Sequence, residues 1–174
     1  FADLESIAVR QAAIAAAARL PGGGGAELLA RCFDGLERLP AELQLDVLDA
    51  AASCADRGLA DRASARFAPR DDDPLAPWRT TLAGGDAARG RRLFETRADV
   101  SCLRCHAIKG VGGTVGPKLD GLATRADPAQ ILESVVRPAA TITPGYPPAM
   151  ADLASRVLSR AELRDLLAYL LSLR

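Results

Sequence analysis

Five residues, Cys102-Leu103-Arg104-Cys105-His106, constrain this chain more than any other stretch of its 174 residues. Two cysteines spaced by two residues and followed at once by the sole histidine form the C-x-x-C-H pattern of c-type haem attachment. The spacing has a physical reason. One turn of helix brings Cys102 and Cys105 to the same side, where both sulfurs reach the two vinyl groups of one porphyrin. His106, the next residue, then turns its imidazole onto the iron from that face. A covalently held porphyrin also joins the core, which suits a chain with few aromatics. Three other readings compete: a closed zinc site, a redox dithiol and coincidence. Zinc needs about four protein ligands, the only histidine is already used, and Cys32 and Cys54 lie in another predicted domain. A thioredoxin-type dithiol calls for a βαβ context, which the pattern lacks.

The chain contains no second histidine to ligate iron from the other side, but it has one methionine, Met150, in the proline-rich stretch "TITPGYPPAM" (141–150). Such a loop can present a thioether without helical geometry, and Met/His ligation recurs in electron-carrying cytochromes. The competing use of a methionine is to fill a core. His106 and Met150 are therefore the candidate metal ligands.

The rest of the sequence reads as helix. Alanine and leucine are abundant and aromatics make up 4% of the residues, which favours helix over sheet. Apolar spacing marks helices over 4–20, 26–39, 41–58 and 59–68, with "PGGGG" (21–25) ending the first and Pro40 suited to the first turn of the third. The segment "PRDDDPLAPW" (69–78) favours an extended connection, its aspartates solvated. Beyond Gly84, Asp86 can cap a helix over 87–97. Asp127 and Pro128 open another over 127–138, and Ser159 with Glu162 forms a capping box for 159–174. The expectation is an all-α protein: helical region 1–68, linker 69–83 and haem domain 84–174. Lys+Arg and Asp+Glu are both 22, a zero formal charge that argues against a nucleic-acid binder. No apolar run approaches a transmembrane span. The opening "FADLESIAV" has no Met and no basic-then-apolar leader, so a processed or excised piece is expected. Cys32 and Cys54, on neighbouring predicted helices, are either a disulfide or buried free thiols.

From residue 84 onward the chain resembles a class I cytochrome c. The likeness rests on Gly90-x-x-x-Phe94 in the first helix, Leu166 and Tyr169 in the last, the Cys102–His106 motif, and Gly116-Pro117-Lys118-Leu119 after it. The resemblance implies one covalent haem c held by Cys102 and Cys105. It further implies His106 and Met150 as axial ligands and Pro117 as the carbonyl that orients His106. A wider likeness runs through "LPAELQLDVLDAA", "DDDPLAPWR", "GDAARGRRLFE" and "ILESVVRPAATITPGY". These resemble the C-terminal part of exported planctomycete-type fusions of a sugar-dehydrogenase-like propeller, HEAT-like helices and a cytochrome c domain. In that family a longer segment often separates "PGY" from the distal methionine. Here Pro147, Pro148 and Ala149 alone stand between Tyr146 and Met150.

The resemblance implies a periplasmic or otherwise exported electron-transfer module, not itself an enzyme, with antiparallel HEAT-like helices in front. It would carry single electrons between a dehydrogenase partner and a downstream acceptor. Two other functions remain open at this point: a haem enzyme or gas sensor with a labile sixth ligand, and a helical docking scaffold that bears a cytochrome. Thr141, Thr143 and Tyr146 are candidate donors to haem propionates, and Lys109 and Lys118 are candidates for the rim that meets an acidic partner.

Overall fold

The computed structural model describes residues 6–20, 23–150, 152 and 157–174. It divides into two compact units, Phe1–Gly84 and Gly85–Arg174.

The first unit is built around one helix. α1 (Ile7–Ala17), α2 (Gly24–Asp34) and α4 (Arg57–Ala65) each pack against α3 (Ala41–Ala52). Leu43, Val47, Leu48 and Ala51 recur on α3 at helical spacing, and all four are buried. The expected start of α1 at residue 4 and the first two residues of "PGGGG" lie outside the described residues. The single helix expected over 41–58 is divided. The Ser53 hydroxyl turns back to donate to the Asp49 carbonyl at 2.9 Å, ending α3. Asp56 then accepts from the Leu59 N–H at 3.0 Å and caps α4 three residues later. Helical periodicity runs through both segments, so the break is carried by two short polar side chains.

Residues 69–78 are not extended throughout, as their prolines suggested, and the end of the stretch turns helical. Ala76–Leu82 forms a 3-10 helix in which Pro77 and Thr81 are buried, with the Thr81 hydroxyl on the Trp78 carbonyl at 2.6 Å. The aspartates find partners: Asp72 pairs with Arg70, and Asp73 pairs with Arg79 while accepting from the Leu75 N–H. The Gln11 side chain then ties the end of this segment down, donating to the carbonyls of Glu42 and Gly84 at 3.0 and 2.9 Å. Cys32 and Cys54 are half-buried free thiols against the α3 core.

The second unit rests on the packing of α5 (Ala87–Thr96) against α8 (Arg160–Leu170). Both are capped as their sequences require. Asp86 accepts from the N–H groups of Ala88 and Arg89, and Ser159 and Glu162 form the reciprocal box. At the contact, a Cβ on Gly90 would sit 1.9 Å from the Asp165 carbonyl oxygen and 2.9 Å from the Tyr169 Cβ. No other residue permits that approach. One turn further along, the Phe94 and Tyr169 rings meet at 5.5 Å, tilted by 60°. Asp165, nearly buried, accepts from Arg89 Nε at 2.6 Å and from the Asp86 N–H at 2.7 Å, so the helices are joined by charge as well as by contact. Between α5 and α8 lie a two-stranded hairpin, β1 (Ala107–Ile108) with β2 (Val111–Gly112), the short α6 (Leu122–Arg125) and α7 (Pro128–Val136). The Asp127–Gln130 capping box and Pro128 open α7. The chain is mostly helical as expected. The hairpin is an addition that the glycine-rich stretch hid.

Gly90→Ala is expected to lower the unfolding stability of the chain by about 1–3 kcal/mol in urea titration, the added methyl meeting backbone that cannot yield. The gain in helix propensity from Gly to Ala works in the opposite direction and sets the lower end of that range. A second expectation concerns acid. Burial pushes the Glu162 carboxyl up, but hydrogen bonds from Ser159 and the charge of Arg97 outweigh it and hold the group below the ordinary glutamate range. A depressed folded pKa contributes stability above the unfolded value of about 4.3 and loses it as pH falls through the folded one. Unfolding curves of Glu162→Gln and parent should therefore differ at neutral pH and converge in acid.

Candidate haem site

The attachment motif is shaped by what precedes it. Ser101 adopts a left-handed backbone (φ 48°), and its hydroxyl donates to the Ala98 carbonyl. The chain thereby reverses into a 3-10 turn, Cys102–Arg104. The N–H groups of Cys105 and His106 both donate to the Cys102 carbonyl, at 3.1 and 2.9 Å. Motif residues expected on one helical turn thus sit on one tight turn. The hairpin follows at once, closed by Lys109 and Gly110 at φ 51° and 79°, a pair of positive values that suits a two-residue turn.

After the hairpin the chain folds back over the motif. The Gly113 N–H donates to Leu103 O and the Gly116 N–H to Cys105 O, both at 2.8 Å. Gly116 lies flat against the imidazole: a Cβ there would stand 2.6 Å from His106 Cε1. That approach leads to Pro117, whose carbonyl oxygen is 2.9 Å from His106 Nδ1. A carbonyl can only accept, so Nδ1 carries the proton and Nε2 keeps its lone pair. The ring is held in the tautomer that binds a metal through Nε2.

Beside the ring is a cavity of about 450 Å3, within the range of roughly 300–1,000 Å3 usual for ligand sites. Cys102, His106, Pro117 and Met150 all line it, and Phe94, Leu119, Ile131, Leu166 and Leu170 give it an apolar wall. Thr141, Thr143 and Tyr146 contribute polar groups. Cys105 is half-buried in the same turn without joining that wall. Met150 is 39% exposed, so it is not filling a core. Lys109 and Lys118 are both exposed.

The residues present fit a covalent haem. The cavity is apolar, one wall carries a metal-ready imidazole, and a thiol faces into it. Burial pushes the Cys102 thiol up to about 11, its own backbone N–H pulling the other way and Cys105 adding to the rise. Sequence reading did not single out Asp120 and Arg125. Asp120 accepts from the Lys109 N–H at 2.7 Å, and Arg125 donates to the carbonyls of Lys118 and Asp120. Neither carried a motif; the one available signal was a short polar side chain beside glycine in a turn-rich stretch.

A helical unit whose terminal helices cross at glycine, around an apolar cavity with a sulfur and an oriented imidazole, defines a c-type haem protein. The family model for cytochrome c matches residues 87–174, and the chain belongs to the cytochrome c family. Members of that family hold haem c covalently and exchange electrons with a redox partner. No curated protein matches the chain at a significant level. No helix among the described residues is long and apolar enough to cross a membrane.

Gly116→Ala is expected to destabilise the chain by about 1–3 kcal/mol and to displace the imidazole from the Pro117 carbonyl. Denaturant unfolding and the NMR shift of the His106 Nδ1 proton check it; a variant with both unchanged would mean the ring is not held by this loop.

Proposed function

We propose that the chain is a monohaem electron-transfer module in which Cys102 and Cys105 would anchor one haem c, His106 and Met150 would ligate its iron, and Pro117 would orient His106. The observation that carries this reading is the convergence of Cys102, His106, Pro117 and Met150 on one apolar cavity, with the imidazole held by its Nδ1 proton. The bound group would supply a one-electron Fe(II)/Fe(III) couple. The chain's own residues do the rest. The Pro117 carbonyl raises the basicity of the imidazole by accepting its proton's hydrogen bond. A thioether ligand raises the potential relative to a second imidazole. The apolar wall from Phe94 to Leu170 excludes water and penalises the added charge of the oxidised site. With both ligands supplied by the chain, the module would pass electrons without binding substrate.

On this reading the location is exported or periplasmic, where c-type haem is attached, and the electron source is a dehydrogenase domain or subunit. Residues 1–68 are the tail of a HEAT-like array that holds the 84–174 haem domain near that source, with 69–83 joining them. The competing reading is a haem enzyme or gas sensor in which Met150 is displaced and the iron opens to a small molecule.

Expression in a cell that matures c-type cytochromes, followed by mass spectrometry, should return one covalent haem per chain. The oxidised parent should show the weak near-red band of sulfur ligation, and Met150→Leu should lose it and become high-spin. A parent that is already high-spin supports the open-site reading. A colourless chain sinks both.

A further inference from the structure

We propose that Arg125 is a positioning residue for His106: its guanidinium clasps the loop whose Pro117 carbonyl holds the imidazole. This rests on the proposed reading that His106 would ligate the haem iron.

Loop 116–121 has little regular structure, yet four successive carbonyls in it are engaged. Pro117 O faces His106 Nδ1, and Leu119 O accepts from the Leu122 N–H at 3.1 Å. The two that alternate with them, Lys118 O and Asp120 O, are taken by Arg125, Nη2 to the first and Nη1 to the second. The planar fork of a guanidinium fixes the angle between the two carbonyls it bridges, which a single ammonium cannot do. The loop is anchored separately by other groups: the Gly116 N–H donates to Cys105 O at 2.8 Å, the Leu119 N–H donates to Ala107 O at 2.9 Å, and the Asp120 carboxylate accepts from the Lys109 N–H. Each peptide unit is planar, so the Lys118 carbonyl and the Leu119 N–H turn together. The Lys118–Leu119 unit, next after the one that carries the Pro117 carbonyl, is thus held from both sides, and the Asp120 carbonyl is held by Arg125; losing these two bonds loosens the loop beyond Pro117, which cannot anchor itself because proline has no N–H. Arg125 also lines the cavity. It therefore affects the site in two separable ways, by geometry and by charge.

The two ways move the reduction potential in opposite directions. A looser Nδ1–H bond makes the imidazole a poorer donor, stabilises the oxidised iron less and raises the potential. Loss of a nearby positive charge stabilises the oxidised form and lowers it. Arg125→Lys keeps the charge and removes the fork, so it isolates geometry; Arg125→Met removes both.

The test uses the haem-loaded chain and its parent. In Arg125→Lys, hydrogen exchange of the His106 Nδ1 proton should quicken at least tenfold and the potential should rise, while amides of α8 exchange as in the parent. Exchange and potential both equal to the parent's in Arg125→Lys would overturn the clasp and leave Arg125 a charge alone, and Arg125→Met would then only lower the potential. Quickening of α8 amides by the same factor would also overturn it, as general destabilisation. If Arg125→Met does not fold, the lysine variant decides by itself. A parent whose spectrum shows haem without imidazole ligation overturns the ligand assignment first, and the clasp with it.

Discussion

An imidazole has two nitrogens and, when neutral, one proton, and the haem half of this molecule is arranged around where that proton sits. Pro117 offers a carbonyl and nothing else, so the proton stays on Nδ1 and the lone pair on Nε2 faces away from it. To bring that carbonyl to the ring the chain must pass within van der Waals contact of it, which requires Gly116. To return from the motif in so few residues it must turn sharply, which the Lys109–Gly110 hairpin does. The hydrogen bond is short in space and eleven residues long in sequence. Everything between exists to close it.

The crossing of α5 and α8 is the second constraint, and it differs in kind. It fixes where the cavity can be. Gly90 lets two backbones meet, Phe94 and Tyr169 fill the next layer, and Phe94 and Leu166, one from each helix, extend the contact as cavity wall. The pair closes the ends of the unit on each other, so the apolar interior left between them and α7 is bounded on several sides by helix. A cavity of that size with an apolar wall is costly to leave to water, because its lining loses contacts that a packed core would have. A flat, largely apolar cofactor such as the haem c of this family would supply those contacts, which would couple fold stability to cofactor retention in this unit.

Much of this was legible in the residues. The motif at 102–106, the helical character of most of the chain and the caps at Asp86, Asp127 and Ser159 follow from local chemistry, and the structure has those caps where the residues put them; the pairing of Gly90 with the last helix came from the family resemblance. Local chemistry was also where reading failed. The division of 41–58 turned on Ser53 and Asp56, whose side chains compete with the helix backbone, while the apolar period ran on undisturbed. The 3-10 helix at Ala76–Leu82 was masked by prolines that suit a tight turn as well as an extended chain. Asp120 and Arg125 could not be picked out, because a carboxylate and a guanidinium that bond backbone carry no spacing signature.

What the sequence determined by itself is chemistry and period: which residues can bond a porphyrin, which can ligate iron, and which stretches wind into helix, since each depends on neighbours a few positions away. What only the tertiary structure decided is which of those groups share a cavity, which nitrogen of His106 keeps its proton, and which side chains brace the loop that ensures it. Those outcomes depend on contacts between residues far apart in the chain, and the cost of closing the loops between them is met by packing that no local pattern encodes.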